Sequence, residues 1–145
     1  MDALGKAITP TDLWQEVVNT AKEIAAADHM DKCLAIIHYA RFEEPFLRDL
    51  HAKSNCQDDF PFRIICTHKI AKRLLPGLPR RGLRAVAGYF GHSVSRMRRS
   101  GPHAVATAVI WQHFVRELQA QHGIQHLDQL TGWLNRTRPA KRTGR

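Results

Sequence analysis

Two short stretches of this chain, CLAIIH (33–38) and RIICT (63–67), are continuously apolar and partly β-branched. A strand of that kind is buried on both faces, as in parallel sheets covered by helices, rather than alternating between core and water. The segments around them carry helical punctuation instead. Thr9-Pro10-Thr11-Asp12 places a cap, a first-turn proline and an early acid ahead of an expected stripe of Leu13, Val17, Val18, Ile24 and Ala25. Phe42, Phe46, Leu47 and Leu50 mark a second helix, and HKIAKRLLP a third that stops at Pro76. LRAVAGYF is a short helix ended by Gly91. Pro102 opens the longest helix, carrying Val105, Val109, Phe114, Val115 and Leu118 and ending at Gly123. Leu127, Leu130, Trp133 and Leu134 mark a last short one. Helices alternating with buried strands predict an α/β architecture, with short parallel strands flanked by helices. At 145 residues, a single domain over 1–135 is expected, followed by a basic disordered tail over 136–145.

Charge divides the chain more sharply than hydropathy does. Lys and Arg number 22 against 13 acids, a net of +9. From Phe60 to Arg116 there are eleven cations and no acid at all. The remainder holds 11 cations against 13 acids, a net of −2. The entire positive excess therefore lies in one continuous segment, the pattern expected of a partner for a polyanion such as nucleic acid. Cys33, Cys56 and Cys66 contain no CxxC spacing, which predicts reduced thiols rather than a disulfide framework or a zinc knuckle. No apolar run approaches the roughly 20 residues of a membrane span. MDALGKAITP lacks the features of a secretory signal, so a cytoplasmic location without a membrane partner is expected.

IIHYARFEEPFL, Ile36 to Leu47, resembles the second motif of the DEDD-type 3′–5′ exonuclease family, which includes the epsilon proofreading subunit of bacterial DNA polymerase III. The family pattern there is two apolar residues, His-Asn-Ala, any residue, then Phe-Asp. IICTHKIAKRLLPGLPRRGLRAVAGYFG is similar to the stretch that follows it, with Cys66-Thr67 in the Asp-Thr place. HAVATAVIW resembles the third motif, and GIQHLDQLTGWL the closing segment. The series runs in order from about Asp31 to Leu134. The resemblance implies a ribonuclease-H-like exonuclease fold, here partial, and a partner in single-stranded DNA or 3′ ends.

It also implies two magnesium or manganese ions held by four carboxylates, with a histidine as general base. Carried over, the second-motif Asp is Glu43, behind His38; the third-motif Asp falls on His103 and the general base on Arg98. The first motif, Asp-x-Glu, is absent. One carboxylate of four does not hold two hard cations, so weak or no autonomous nuclease activity is expected. His38, Glu43 and His103 form at most a softer three-ligand set suited to zinc or manganese. The lost part belongs either to a segment or protein partner outside this sequence, or to degeneration of an exonuclease. In the family fold the loops carrying Arg80, Arg81 and Arg84, and Arg96, Arg98 and Arg99, flank the cleft that holds the strand.

Two other readings stand beside this one. AVAGYFGHSVSRMRR, Ala85 to Arg99, has the outline of a helix-turn-helix regulator in which Ser95, Arg96 and Arg99 meet duplex DNA; Gly101-Pro102 cuts its second helix short. The missing carboxylates also fit a non-catalytic protein-interaction module.

Overall fold

The structure is a computed structural model describing residues 8–93 and 100–137. The chain divides into two compact units, Met1–Thr67 and His68–Arg145.

In the first unit, helix α1 (Pro10–Ala27) starts as its sequence dictates. The Thr9 hydroxyl accepts the Asp12 amide at 3.1 Å and donates to the Asp12 carboxylate at 2.6 Å. Its buried face shares Val18 and Ala25 with the expected stripe but is rotated from it. Leu13 (53% exposed) and Ile24 (47%) lie outside, while Trp14, Val18, Ala21 and Ala25 lie inside. Turning the helix this way buries the large indole at one end. At the other it presents two alanines, which allow close approach to Cys33 and Phe62.

Strand β1 (Cys33–Ile37) runs parallel to β2 (Phe62–Cys66), in register from Cys33↔Phe62 to Ile37↔Cys66. The expected parallel pair is present, joined through α2 (Ala40–Lys53). α2 buries Ala40 and packs Leu47 and Leu50 against Trp14, Val18 and Phe60. The two phenylalanines that mark this helix in the sequence point outward, Phe42 at 62% and Phe46 at 63% exposure.

A polar chain runs through this core. The Trp14 indole N–H donates to His51 Nδ1 at 3.0 Å, so the proton sits on Nε2, which donates to the Asp58 carbonyl at 2.8 Å. His51→Ala leaves the indole N–H of a 3%-exposed tryptophan without an acceptor. That substitution is expected to lower stability by about 2 kcal/mol, read as a shifted denaturation midpoint, with His51→Gln recovering part of the loss. At the rim Lys22 donates to the Asp58 carboxylate at 2.6 Å and holds its carboxyl below the usual range. This contribution is present at neutral pH and fades as pH falls through that lowered value.

Among the described residues the second unit is helical, and α3 (Thr67–Leu74) begins at its border. α4 (Leu83–Tyr89) ends at Gly91, whose φ of 78° lets the His92 amide reach back to the Ala87 carbonyl at 2.9 Å. α5 (Ser100–His122) starts two residues before Pro102 and ends at Gly123, φ 63°. Its buried stripe is Ala106, Ile110, Phe114 and Leu118. Val105 and Val115, expected in the core, are 55% and 41% exposed. An apolar residue one position off the stripe is turned about 100° away from it. Phe90, after α4, stacks on His113 at 4.3 Å and meets Phe114 edge-on at 5.7 Å. In α6 (Leu127–Asn135), Gln129 accepts the amides of Gln125 and His126. Among the described residues, no helix is long and apolar enough to cross a membrane.

Candidate functional site

Parallel strands deliver their following residues to one end of the sheet, and here those residues are His38 and Thr67. His38 Nδ1 and Thr67 Oγ1 share a hydrogen bond at 2.9 Å, its direction set by the imidazole tautomer. Thr67 is fully buried. His38 and Thr67 thus join the two strand ends, while Cys66 stands where the family resemblance puts an aspartate.

The turn out of β1 is tight. Tyr39 adopts the left-handed conformation, φ 62°, ψ 44°, and heads α2 without a side-chain cap. A bulky residue there costs about 1 kcal/mol or more and persists only where its surroundings fix it. Its ring stands edge-on to His38 at 5.0 Å and tilted to Phe42 at 6.1 Å. Arg41 lies over Phe42 at 4.6 Å. Glu43 sits exposed in the first turn of α2, suited to the positive end of the helix dipole.

His103 belongs to the second unit. It is exposed in the first turn of α5, and its carbonyl accepts the Thr107 hydroxyl at 2.9 Å. Arg98 lies outside the described residues. Among those described, no three His, Cys, Asp or Glu side chains are grouped to hold a metal ion. The donor set itself does not fit the family's two-metal centre, since Glu43 supplies the single carboxylate.

The basic residues of the second unit fall into two kinds. Arg73 donates to the carbonyls of Trp133 (2.5 Å), Leu134 (2.8 Å) and Arg136, and lies over the Trp133 ring at 5.2 Å. It satisfies carbonyls left open at the C-terminal end of α6. Arg81 donates to the carbonyls of Leu75 (3.1 Å) and Pro76 (2.7 Å), closing the end of α3 in the same way. Sequence reasoning did not mark either as structural, because the acceptors are main-chain atoms, for Arg73 some sixty positions away.

Arg80, Arg84, Lys69, Lys72 and Arg116 are exposed. Arg84 stands in the first turn of α4, the wrong end of the dipole for a cation, which costs a few tenths of a kcal/mol. Helix stability is therefore not what this arginine serves. Arg96 and Arg99 lie outside the described residues, as do most of the second helix of the helix-turn-helix reading and most of the 136–145 tail. Comparisons of the chain with protein-family models, with curated proteins and with solved structures return no match.

Proposed function

We propose that this chain is a nucleic-acid-binding domain of exonuclease descent, a partial ribonuclease-H-like fold with weak or no nuclease activity of its own. The observation that carries the reading is where the charge lies. Met1–Thr67 holds 7 cations against 11 acids, a net of −4; His68–Arg145 holds 15 against 2, a net of +13. Arg73 and Arg81 stabilise helix ends, but Arg80, Arg84, Lys69 and Lys72 are exposed. A field of one sign on a small helical unit favours phosphate backbones over neutral partners. The parallel pair joined through α2, with Glu43 as the one carboxylate left at the matched positions and His103 in place of another, agrees with an exonuclease sheet that has lost its metal-binding carboxylates.

The test is a labelled single-stranded oligonucleotide with a free 3′ end. Binding is expected, without nucleotide release above background in magnesium and with a trace at most in manganese. Robust, chelator-sensitive release would overturn the non-catalytic part of the proposal. Preference for one duplex sequence would favour the helix-turn-helix reading. Absence of binding at low salt would leave the interaction module.

A further inference from the structure

The sheet has two strands among the described residues, so each strand keeps one main-chain edge without a neighbouring strand. The Cys33 amide donates to the Pro61 carbonyl at 3.0 Å. With the parallel register, this turns the main-chain groups of Cys33, Ala35 and Ile37 toward β2 and those of Leu34 and Ile36 outward. The Leu34 carbonyl receives a weak thiol contact from Cys33 at 3.8 Å. Leu34 through Ile37 are all partly solvent-exposed, although every one is apolar.

The two outer edges differ. β2 is guarded by Pro61 just before it and by Arg63 within it, two devices that discourage edge pairing. Cys33–Ile37 has no charge and no proline.

We propose that the outer edge of β1 is a self-association site, pairing antiparallel with β1 of a second copy about a two-fold axis through Ala35. Leu34 N–H then donates to the Ile36 C=O of the second copy, Ile36 N–H to its Leu34 C=O, and symmetry repeats both bonds. The segment is self-complementary: the small Ala35 lies on the axis, with Leu34 facing Ile36 on either side, as a two-fold interface requires. Lys32 lies across from His38 of the second copy, and the two Lys32 side chains are separated by the length of the strand. A second copy thus continues the sheet to four strands and covers half-exposed apolar residues with their own kind.

Crosslinking reads the register directly. Residues facing each other as a non-hydrogen-bonded antiparallel pair have Cα atoms about 4.5 Å apart, within disulfide reach. Under mild oxidation Ala35→Cys is expected to give a covalent dimer, whereas Ile36→Cys, which faces Leu34, gives none. Burial, with Asp28 nearby, pushes the Cys33 thiol up, so it competes poorly for oxidation. Leu34→Pro removes one outward N–H per copy and no bond to β2. It is expected to raise the dimer Kd roughly 10–100-fold in sedimentation, with the helical circular dichroism unchanged.

If Leu34→Pro fails to fold, hydrogen exchange on the unaltered protein decides: the Leu34 and Ile36 amides should gain protection as concentration rises. A protein monomeric at the highest concentrations, a dimer that Ala35→Cys does not crosslink, a folded Leu34→Pro that dimerises unchanged, or edge amides that stay unprotected would each overturn the proposal.

Discussion

Affinity for a single-stranded oligonucleotide is expected to fall on the order of 10²-fold between about 50 and about 200 mM salt. Each phosphate neutralised on a single strand releases counterions and adds about 0.7 to the slope of log K against log salt. The arginines Arg80, Arg84, Arg96, Arg98 and Arg99 offer roughly five such contacts, hence a slope near −3.5. Arg81 does not count among them, because its guanidinium already serves the Leu75 and Pro76 carbonyls. The variants should therefore separate. Arg80→Ala with Arg84→Ala flattens the slope by about 1.4, weakens all sequences alike and leaves folding intact. Arg81→Ala leaves the slope nearly unchanged and lowers stability by about 1 kcal/mol, since the end of α3 loses its donor. A titration in which Arg80 and Arg84 are silent while replacement of Arg96 and Arg99 abolishes binding to one duplex sequence would transfer the site to a helix-turn-helix. A flat titration would remove nucleic acid from the account.

The element order was readable because it depends on local chemistry. Thr9-Pro10 starts α1, Gly91 and Gly123 adopt the left-handed turns that stop α4 and α5, and two continuously apolar runs pair in parallel. Helix phase was less readable. α1 carries a broad apolar arc with both Leu13 and Ile24 at one margin and Trp14 and Val18 at the other, so periodicity establishes the helix without choosing between Leu13 and Trp14 as the inward position; packing against Cys33 and Phe62 chooses. α2 shows the limit most clearly, with Phe42 and Phe46 outside and Ala40 inside.

At the strand ends, the sequence located His38 but not its partner. The bond to Thr67 joins positions 29 residues apart and depends on the strand register. Tyr39 gave no warning of its left-handed backbone, because the residues that usually signal one are glycine and asparagine. Runs of like charge were legible as a field, yet only coordinates separate Arg81, bound to its own helix end, from its exposed neighbour Arg80.

Phe114→Ala is expected to destabilise the second unit by about 3–5 kcal/mol, the range for emptying a closed aromatic site. Phe114 has no exposed surface and lies in the buried stripe of α5, between Ile110 and Leu118. Its ring meets Phe90 edge-on at 5.7 Å, while Phe90 is also held by stacking on His113. Collapse into the vacated space is opposed on both counts. α5 is a long helix that cannot bend inward over one turn without breaking its ladder, and Phe90 follows the end of α4 just before the left-handed Gly91. Whole domains of this size are stable by only about 5–10 kcal/mol, so the loss should leave a measurable unfolded population near 37 °C. Phe114→Leu keeps most of the volume but forfeits the edge-on pair, and should cost about 1–2 kcal/mol. Tyr89→Ala, at a position 57% exposed, should stay within about 0.5 kcal/mol. Denaturant unfolding of the three variants, compared at equal m-values, checks the order. If Phe114→Ala cost no more than Tyr89→Ala, the α4–α5 packing described here would not be the core of this unit.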